Sequence, residues 1–431
     1  MGLFFLGKPG AHWPMPDLDV EAEVAAYQSM FKLDAAYADI EFIGNRFVSD
    51  VAGVTELLAQ MKSVDGILVV HISMGIRDML AEILKFGKPT IVFAEPYSGH
   101  EWNTFGRLMA QPEGALLDCV LSSDRQAIDR SMRAFRAIHH MREAKVLNVT
   151  SRELSADYCA AARAKFGTEI VRISREEVLA AYDATNGQTV EELAQLVIAQ
   201  AAAVVEPSRD EIVRSCKLAL AFQDLVSAHQ ATAITVDCYG TMYRQLPAFP
   251  CIGFTRINDM GLAGICESDL SSALTFMILQ SISGRPGFIS DPTMDESSNS
   301  IVLAHCLGST KMQGPNGPAC PYKIRSIMER EEGAVMQVKM DEGQAVTQAI
   351  LVGADKLLYF TGKVTGTPDV ERGCRTKIVA QVDGDAKVLW RNWTAGLHRV
   401  TCYGDLSEDL IRFCRFKQIS ITNEAADSAQ A

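Results

Sequence analysis

The chain has 431 residues, of which 48% are hydrophobic and 22% charged, and its formal net charge is -12. That length holds two or three domains at about 100–200 residues each, and the apolar share is that of a globular chain rather than a disordered one. A surface this anionic repels phosphate backbones, so no nucleic-acid partner is expected.

The opening stretch, Met1 to Pro9, reads as a short buried strand. It lacks the basic stretch and long apolar core of a signal peptide, and Leu6 stands where a myristoylation pattern wants Ser or Thr. No run of about 18 apolar residues occurs, so no membrane partner is expected. The 11 cysteines are an odd number, contain no CxxC pair and lie in apolar surroundings such as Ala304-His305-Cys306. They read as reduced, buried thiols of a cytoplasmic protein, not as a disulfide or zinc framework.

The apolar runs Gly66–Val70 and Pro89–Ala94 read as strands, with a helix over Gly75–Phe86 between them that stops at Gly87. Such a strand, helix and strand form a βαβ unit with a parallel sheet. The loop Glu95–His100 then lies at a strand's C-terminal end, where open α/β sheets bind ligands. A second such unit starts near Arg142, with strands at Lys145–Val149 and Glu169–Ile173 around a helix Ala156–Phe166 stopped by Gly167. Helices are expected around Val190–Val204 and Arg209–His229, then a strand Ala233–Asp237 leading into Cys238-Tyr239-Gly240. After about residue 310 the texture changes. Gly and Pro cluster at Gly314–Pro318, and β-branched runs follow at Gly333–Lys339, Gln344–Val352, Lys377–Val382 and His398–Tyr403, which reads as an antiparallel β domain or barrel. The tail after Asn423 is small and polar and is expected to fray. The expected fold class is therefore α/β: two N-terminal Rossmann-like α/β domains with parallel sheets (1–141 and 142–312), followed by a C-terminal antiparallel β-barrel-like domain (313–431).

The stretch from Gly261 to His305 carries the chemistry. Glu267 stands where a strand hands over to a helix spanning Ser271–Ser281, which Gly284 ends. A strand Gly287–Ser290 ends on Asp291, and another, Ile301–Ala304, ends on His305. Each residue alone has a plain structural role: a helix N-terminus favours Glu267, Asp291 before Pro292 suits a turn, and His305 could be a core histidine. Carboxylates and imidazoles gathered at the ends of neighbouring elements suit an oxygen-and-nitrogen metal site.

The stretch Cys266-Glu267-Ser268-Asp269, its following helix and Gly284, together with Cys374-Arg375-Thr376 and Gly396-Leu397-His398…Gly404-Asp405, resembles the L-fucose isomerase and L-arabinose isomerase superfamily, more closely its fucose isomerase branch. Asp291 lies 291 − 267 = 24 positions after Glu267, where that branch places a second metal carboxylate. The resemblance has specific motifs from Thr235 onward and is architectural before it. The chain is shorter than a typical fucose isomerase, so loops that shape sugar specificity are expected to differ. The resemblance implies metal ligation by Glu267, Asp291 and His398. His305 matches better the arabinose-type arrangement, which uses two histidines.

The implied reaction is a metal-dependent aldose–ketose isomerisation of a small open-chain sugar through an enediolate. Mn²⁺ (or Mg²⁺) would polarise the carbonyl, with Glu267 and Asp291 as catalytic acid and base. Tyr239, Arg256, Gln280, Trp390, Asn392 and Trp393 are candidate substrate contacts. In the family the first domain of a neighbouring subunit closes the site, which puts Glu95, Tyr97, His100 and Trp102 on the closing loop, with His12 and Trp13 as further candidates, and implies a homo-oligomer, a trimer or hexamer. The same ligands would serve an epimerase or a C–C lyase, and a sugar-binding protein without catalysis is a third alternative. No GxGxxG follows a strand, which argues against a nicotinamide enzyme.

Overall fold

A computed structural model describes residues 1–426 of the chain. They form two compact units: Met1–His139 with Asp409–Gln418, and His140–Glu408 with the segment from Ile419.

The first unit is built on a five-stranded sheet in which Gly2–Leu6 pairs in parallel with both Ile43–Val48 and Ile67–His71, followed by Thr90–Ala94 and Leu117–Leu121. Strands Gly2–Leu6, Ile67–His71 and Thr90–Ala94 are buried along their whole length. This is why they read as unbroken apolar runs rather than alternating ones: helices cover both faces of a parallel sheet. The expected helix over Gly75–Phe86 is Arg77–Lys85. The strand order reverses beside Gly2–Leu6, and the loops around that switch point enclose a cavity lined by Pro14, Tyr27, His71, Glu95 and Tyr97. Helix Ser407–Lys417 contributes Phe416, which stacks on Phe135 at 5.5 Å, and Arg412, which pairs with Asp118 at 2.5 Å.

The second unit holds a four-stranded parallel sheet in the order Ala263–Cys266, Ala233–Val236, Lys145–Val149, Glu169–Ile173. Beside it, strands Phe288–Asp295, Ser300–His305, Ala345–Val352, Lys356–Gly366, Thr376–Val382 and Arg399–Tyr403 close into a six-stranded antiparallel barrel, to which Ser420–Asn423 adds in parallel. A smaller sheet pairs Glu332–Val338, Tyr322–Ile327 and the short Ala203–Val204. Helix Leu270–Ser283 joins sheet and barrel. Nearly all its faces are buried, and the Leu351 N–H donates to Thr275 Oγ1 at 2.8 Å.

Three expectations shift. The barrel begins at Phe288, well before the change of texture near residue 310. Its second strand pairs with Thr376–Val382, so the sheet recruits sequence from both sides of the Gly/Pro cluster. Asp291 does not end a strand. Phe288–Asp295 runs through it into a hairpin with Pro292 opposite Leu303, and because the pairing with Arg399–Tyr403 covers only Phe288–Ser290, the strand is an edge on that side from Asp291 onward, where Pro is tolerated. The helix expected to reach Val204 ends at Gln200, and Ala203–Val204 is strand. Of the tail, Glu424 is fully buried on Arg399, and the expected fraying falls, beyond residue 426, outside the described residues.

Candidate active site

At the C-terminal edge of the second unit's parallel sheet, strand Ala263–Cys266 leads into Glu267 and Ser268, both left-handed, at φ 65° and 58°. Left-handed backbone at consecutive non-glycine residues is uncommon and costs of order 1–3 kcal/mol each. The bend is held by hydrogen bonds: the Ser268 N–H donates to Val236 O at 3.0 Å, and its hydroxyl to Asn148 Oδ1 at 2.5 Å. The result turns the Glu267 carboxylate out of the sheet edge, while Asp269 becomes the N-cap of Leu270–Ser283, accepting from Ser272 N at 2.9 Å.

Opposite Glu267 lie two barrel strands and one loop. His305, at the end of Ser300–His305, is 1% exposed, and its Nε2 is 3.8 Å from Glu267 Oε1. His398, just before Arg399–Tyr403, has Nε2 at 3.8 Å from Glu267 Oε2 and at 3.2 Å from Asp291 Oδ1. Its Nδ1 lies 3.0 Å from Asp269 Oδ2. Ligand-type atoms of Glu267, His305 and His398 all lie within 4.8 Å of one another. Asp291 Oδ1 and His398 Nε2 are close but misaligned, so both, with His305 Nδ1, are buried polar atoms without hydrogen-bond partners. Buried polar groups are normally satisfied, and here Asp291 Oδ1 and His398 Nε2 face each other unpaired within a set of two imidazoles and two carboxylates. That set fits a divalent cation of mixed nitrogen and oxygen preference.

The electrostatics separate these groups. Burial, reinforced by His398, lowers His305 to about 4, which keeps it neutral and able to ligate. Burial also opposes charge on His398, but the Asp269, Asp291 and Glu267 carboxylates outweigh it and raise the imidazole to about 10. Burial raises the Glu267 carboxyl, with help from Asp291 and Asp269. Burial works against Asp291 too, but His398 and His305 hold its carboxyl below the usual value.

Glu267, Asp291, His305 and His398 are therefore brought together. The other candidate contacts are placed variously. Tyr239 follows strand Ala233–Val236, with its hydroxyl 3.8 Å from Cys306 Sγ, beside His305. Arg256 sits in helix Cys251–Asp259 against the Gln223 amide of a neighbouring helix. Gln280 donates to Leu262 O at 3.2 Å. It lies ten residues beyond Leu270, about 15 Å along the helix from the end that carries Asp269. Trp390 donates to Glu296 Oε1 at 2.8 Å, Asn392 to Glu424 O at 2.8 Å, and Trp393 to Leu397 O at 3.1 Å. These three brace helix Ala386–Asn392 and the loop that carries His398. In the first unit Tyr97 is 80% exposed and Trp102 62%, Glu95 pairs with Arg125 at 2.8 Å, Trp13 meets His100 edge-on, and His12 is exposed.

The residue that sequence reasoning passed over is Asp269. It caps a helix and orients His398 at once, the arrangement in which a carboxylate fixes the tautomer of a ligating imidazole. The sequence showed it only as the last residue of the Cys266–Asp269 stretch and as an acidic residue immediately before an apolar helix.

No family model matches the chain. It is 27% identical over 219 residues to a sulfoquinovose isomerase of Clostridium sp. (strain MSTE9), which is 47% of this chain and 46% of that protein. It is 25% identical over 107 residues to a sulfoquinovose isomerase of Alkalicoccus urumqiensis, 24% of each chain. The chain thus spans about half and about a quarter of the relatives it matches. Among the described residues no helix is long and apolar enough to cross a membrane. Over part of its length the chain is similar to sulfoquinovose isomerases.

Proposed function

We propose that the chain is an aldose–ketose isomerase whose site is formed by Glu267, Asp291, His305 and His398. The observation that carries this reading is the convergence of two carboxylates and two imidazoles, with three buried polar atoms left unpaired, at the C-terminal edge of a parallel sheet. These four residues would hold a divalent cation, Mn²⁺ or Mg²⁺, and the imidazole nitrogens favour Mn²⁺ of the two. Such an ion would polarise the sugar carbonyl and stabilise negative charge as C1 and C2 exchange a proton.

The chain's own groups divide the remaining work. Glu267, its carboxyl raised by burial, is the group suited to take a proton from one carbon and return it to the other. Asp291, held ionised by His398 and His305, keeps its negative charge through the cycle. Carboxyl groups whose environments push them apart in this way are the usual basis for assigning acid and base. Asp269 fixes the His398 ring through Nδ1.

Both named relatives are sulfoquinovose isomerases, so an anionic sulfosugar is the first substrate to offer. Arg152, which follows strand Lys145–Val149 at the same sheet edge, is 66% exposed and 3.2 Å from Asp237, and can turn toward an anionic group. The test is an assay with Mn²⁺ over neutral, deoxy and sulfonated aldoses, with the product identified by NMR. A ketose formed from at least one of them, and lost on chelation, is the expected result. Binding without conversion, or an epimeric aldose as product, would overturn the reading.

A further inference from the structure

A second cluster of ligand-type atoms stands beside the first and has no part in the proposed reaction. The Cys306 sulfur, the Cys374 sulfur and a Glu329 carboxylate oxygen all lie within 4.8 Å of one another. Three separate segments supply them. Cys306 follows strand Ser300–His305, Cys374 precedes Thr376–Val382, and Glu329 lies in the hairpin between Tyr322–Ile327 and Glu332–Val338. The pairing of His305 with Thr376 brings the two cysteines together. The Cys374 thiol donates to Glu329 Oε1 at 3.0 Å, and the Tyr239 hydroxyl is 3.8 Å from Cys306 Sγ. Cys306 is only 4% exposed.

We infer that Cys306, Cys374 and Glu329 form a binding site for a thiophilic divalent cation of the zinc class, with the Tyr239 hydroxyl or water in the fourth position. Two thiolates and one carboxylate are a donor set that zinc takes in tetrahedral geometry, with Zn–S at about 2.3 Å. The sulfurs select against Mn²⁺ and Mg²⁺, so the two neighbouring sites sort metals by donor chemistry. On binding, the cation takes the place of the two thiol protons, which pass to solvent, and the Cys374–Glu329 hydrogen bond becomes shared ligation. The spacings, 329 − 306 = 23 and 374 − 329 = 45, match no familiar zinc motif, so the pairing of strands assembles the site, not local sequence.

The full-length protein, reduced and stripped of metal, is titrated with Cd²⁺ as a spectroscopic probe for zinc. The expected result is an ultraviolet thiolate-to-cadmium band that saturates at one equivalent and that Zn²⁺ displaces. Loss of an outer partner alone costs roughly 10–100-fold in metal affinity, so Cys374→Ser and Glu329→Gln should each weaken binding by more than roughly tenfold. His398→Ala, in the other cluster, should leave the band intact. Circular dichroism checks each fold, and the exposed Glu329→Gln keeps the test open if Cys374→Ser does not fold. Absence of the band, its persistence in both thiol-site variants, or formation of a Cys306–Cys374 disulfide in place of metal binding would overturn the inference.

Discussion

Two buried charged clusters lie a few residues apart in the second unit, and they are built on opposite principles. Arg399 and Glu424 are 0% and 1% exposed and saturate each other: Nε and Nη2 reach the two carboxylate oxygens at 3.2 and 3.0 Å. Arg399 Nη1 also reaches the carbonyls of Ala395, Gly396 and His398. One residue earlier, His398 Nε2 faces Asp291 Oδ1 and Glu267 without a hydrogen bond. Breaking a satisfied buried pair by removing one partner is strongly destabilising, whereas polar atoms that are buried, convergent and unsatisfied cost stability and call for a ligand. The Arg399 contacts fix the backbone of the loop from which His398 projects, so the first cluster holds the second in place.

Substitutions can break this contrast. Glu267→Gln and Asp291→Asn should each reduce turnover by about 10²–10⁴-fold, while thermal stability in the absence of metal should be unchanged or raised for Glu267→Gln, whose charge burial opposes, and lowered for Asp291→Asn, whose charge His398 and His305 favour. The double variant should lose little more than either single one, since the groups act as a unit. Kinetics and a melting curve on the same samples separate the two effects.

Arg399→Met should do the reverse. It leaves Glu424, whose carboxyl burial already pushes up, without its counterion. Removing one partner of a buried pair costs about 3–5 kcal/mol, which urea unfolding would read as a lower midpoint. A loss below about 1 kcal/mol would mean the pair is not the brace described.

Asp269→Asn tests the link between helix cap and imidazole. Asn caps a helix as well as Asp, so stability should hold within about 0.5 kcal/mol, while metal affinity or turnover falls by roughly 10–100-fold. Equal losses in both would reduce Asp269 to a cap.

The mildest expected effect lies in the half-exposed network where Glu206 meets Arg325 at 2.7 Å and Arg375 at 3.3 Å. The Arg325 guanidinium leads in holding the Glu206 carboxyl down, to about 2 from 4.5. A carboxyl depressed in the folded state stabilises the protein above its unfolded value and loses that contribution as pH falls through the folded one. The network's share should therefore be full above pH 4.5 and fade toward pH 2. Glu206→Gln should flatten that part of the stability curve and lower stability slightly at neutral pH, since partly exposed pairs contribute little.

What the sequence disclosed follows the same divide. The parallel strands were legible because burial on both faces makes them apolar throughout, as in Ile67–His71. Lys356–Gly366, though 11 residues long, was not, because charged and glycine residues at its ends blur the alternation on which strand recognition depends. Glu267 and Asp291 stood out as acids beside apolar runs, but His398 stood only at the start of the β-branched run His398–Tyr403, and only the motif resemblance singled it out. The aromatic and amide residues Trp390, Asn392 and Trp393 suggested sugar contacts. Their hydrogen bonds to Glu296, Glu424 O and Leu397 O are made by pairings too distant in sequence to anticipate.

The central claim is that Glu267 moves a proton between adjacent carbons of a sugar held at the Glu267–Asp291–His305–His398 site. The most direct test is turnover in D₂O with a converted aldose, followed by NMR of the product. A carboxylate that lifts and returns a proton lets it exchange with solvent, so deuterium should appear at C1 or C2 in part of the product. Normal turnover with no deuterium at either carbon would contradict the claim, because the hydrogen would then have crossed without passing through the Glu267 carboxylate.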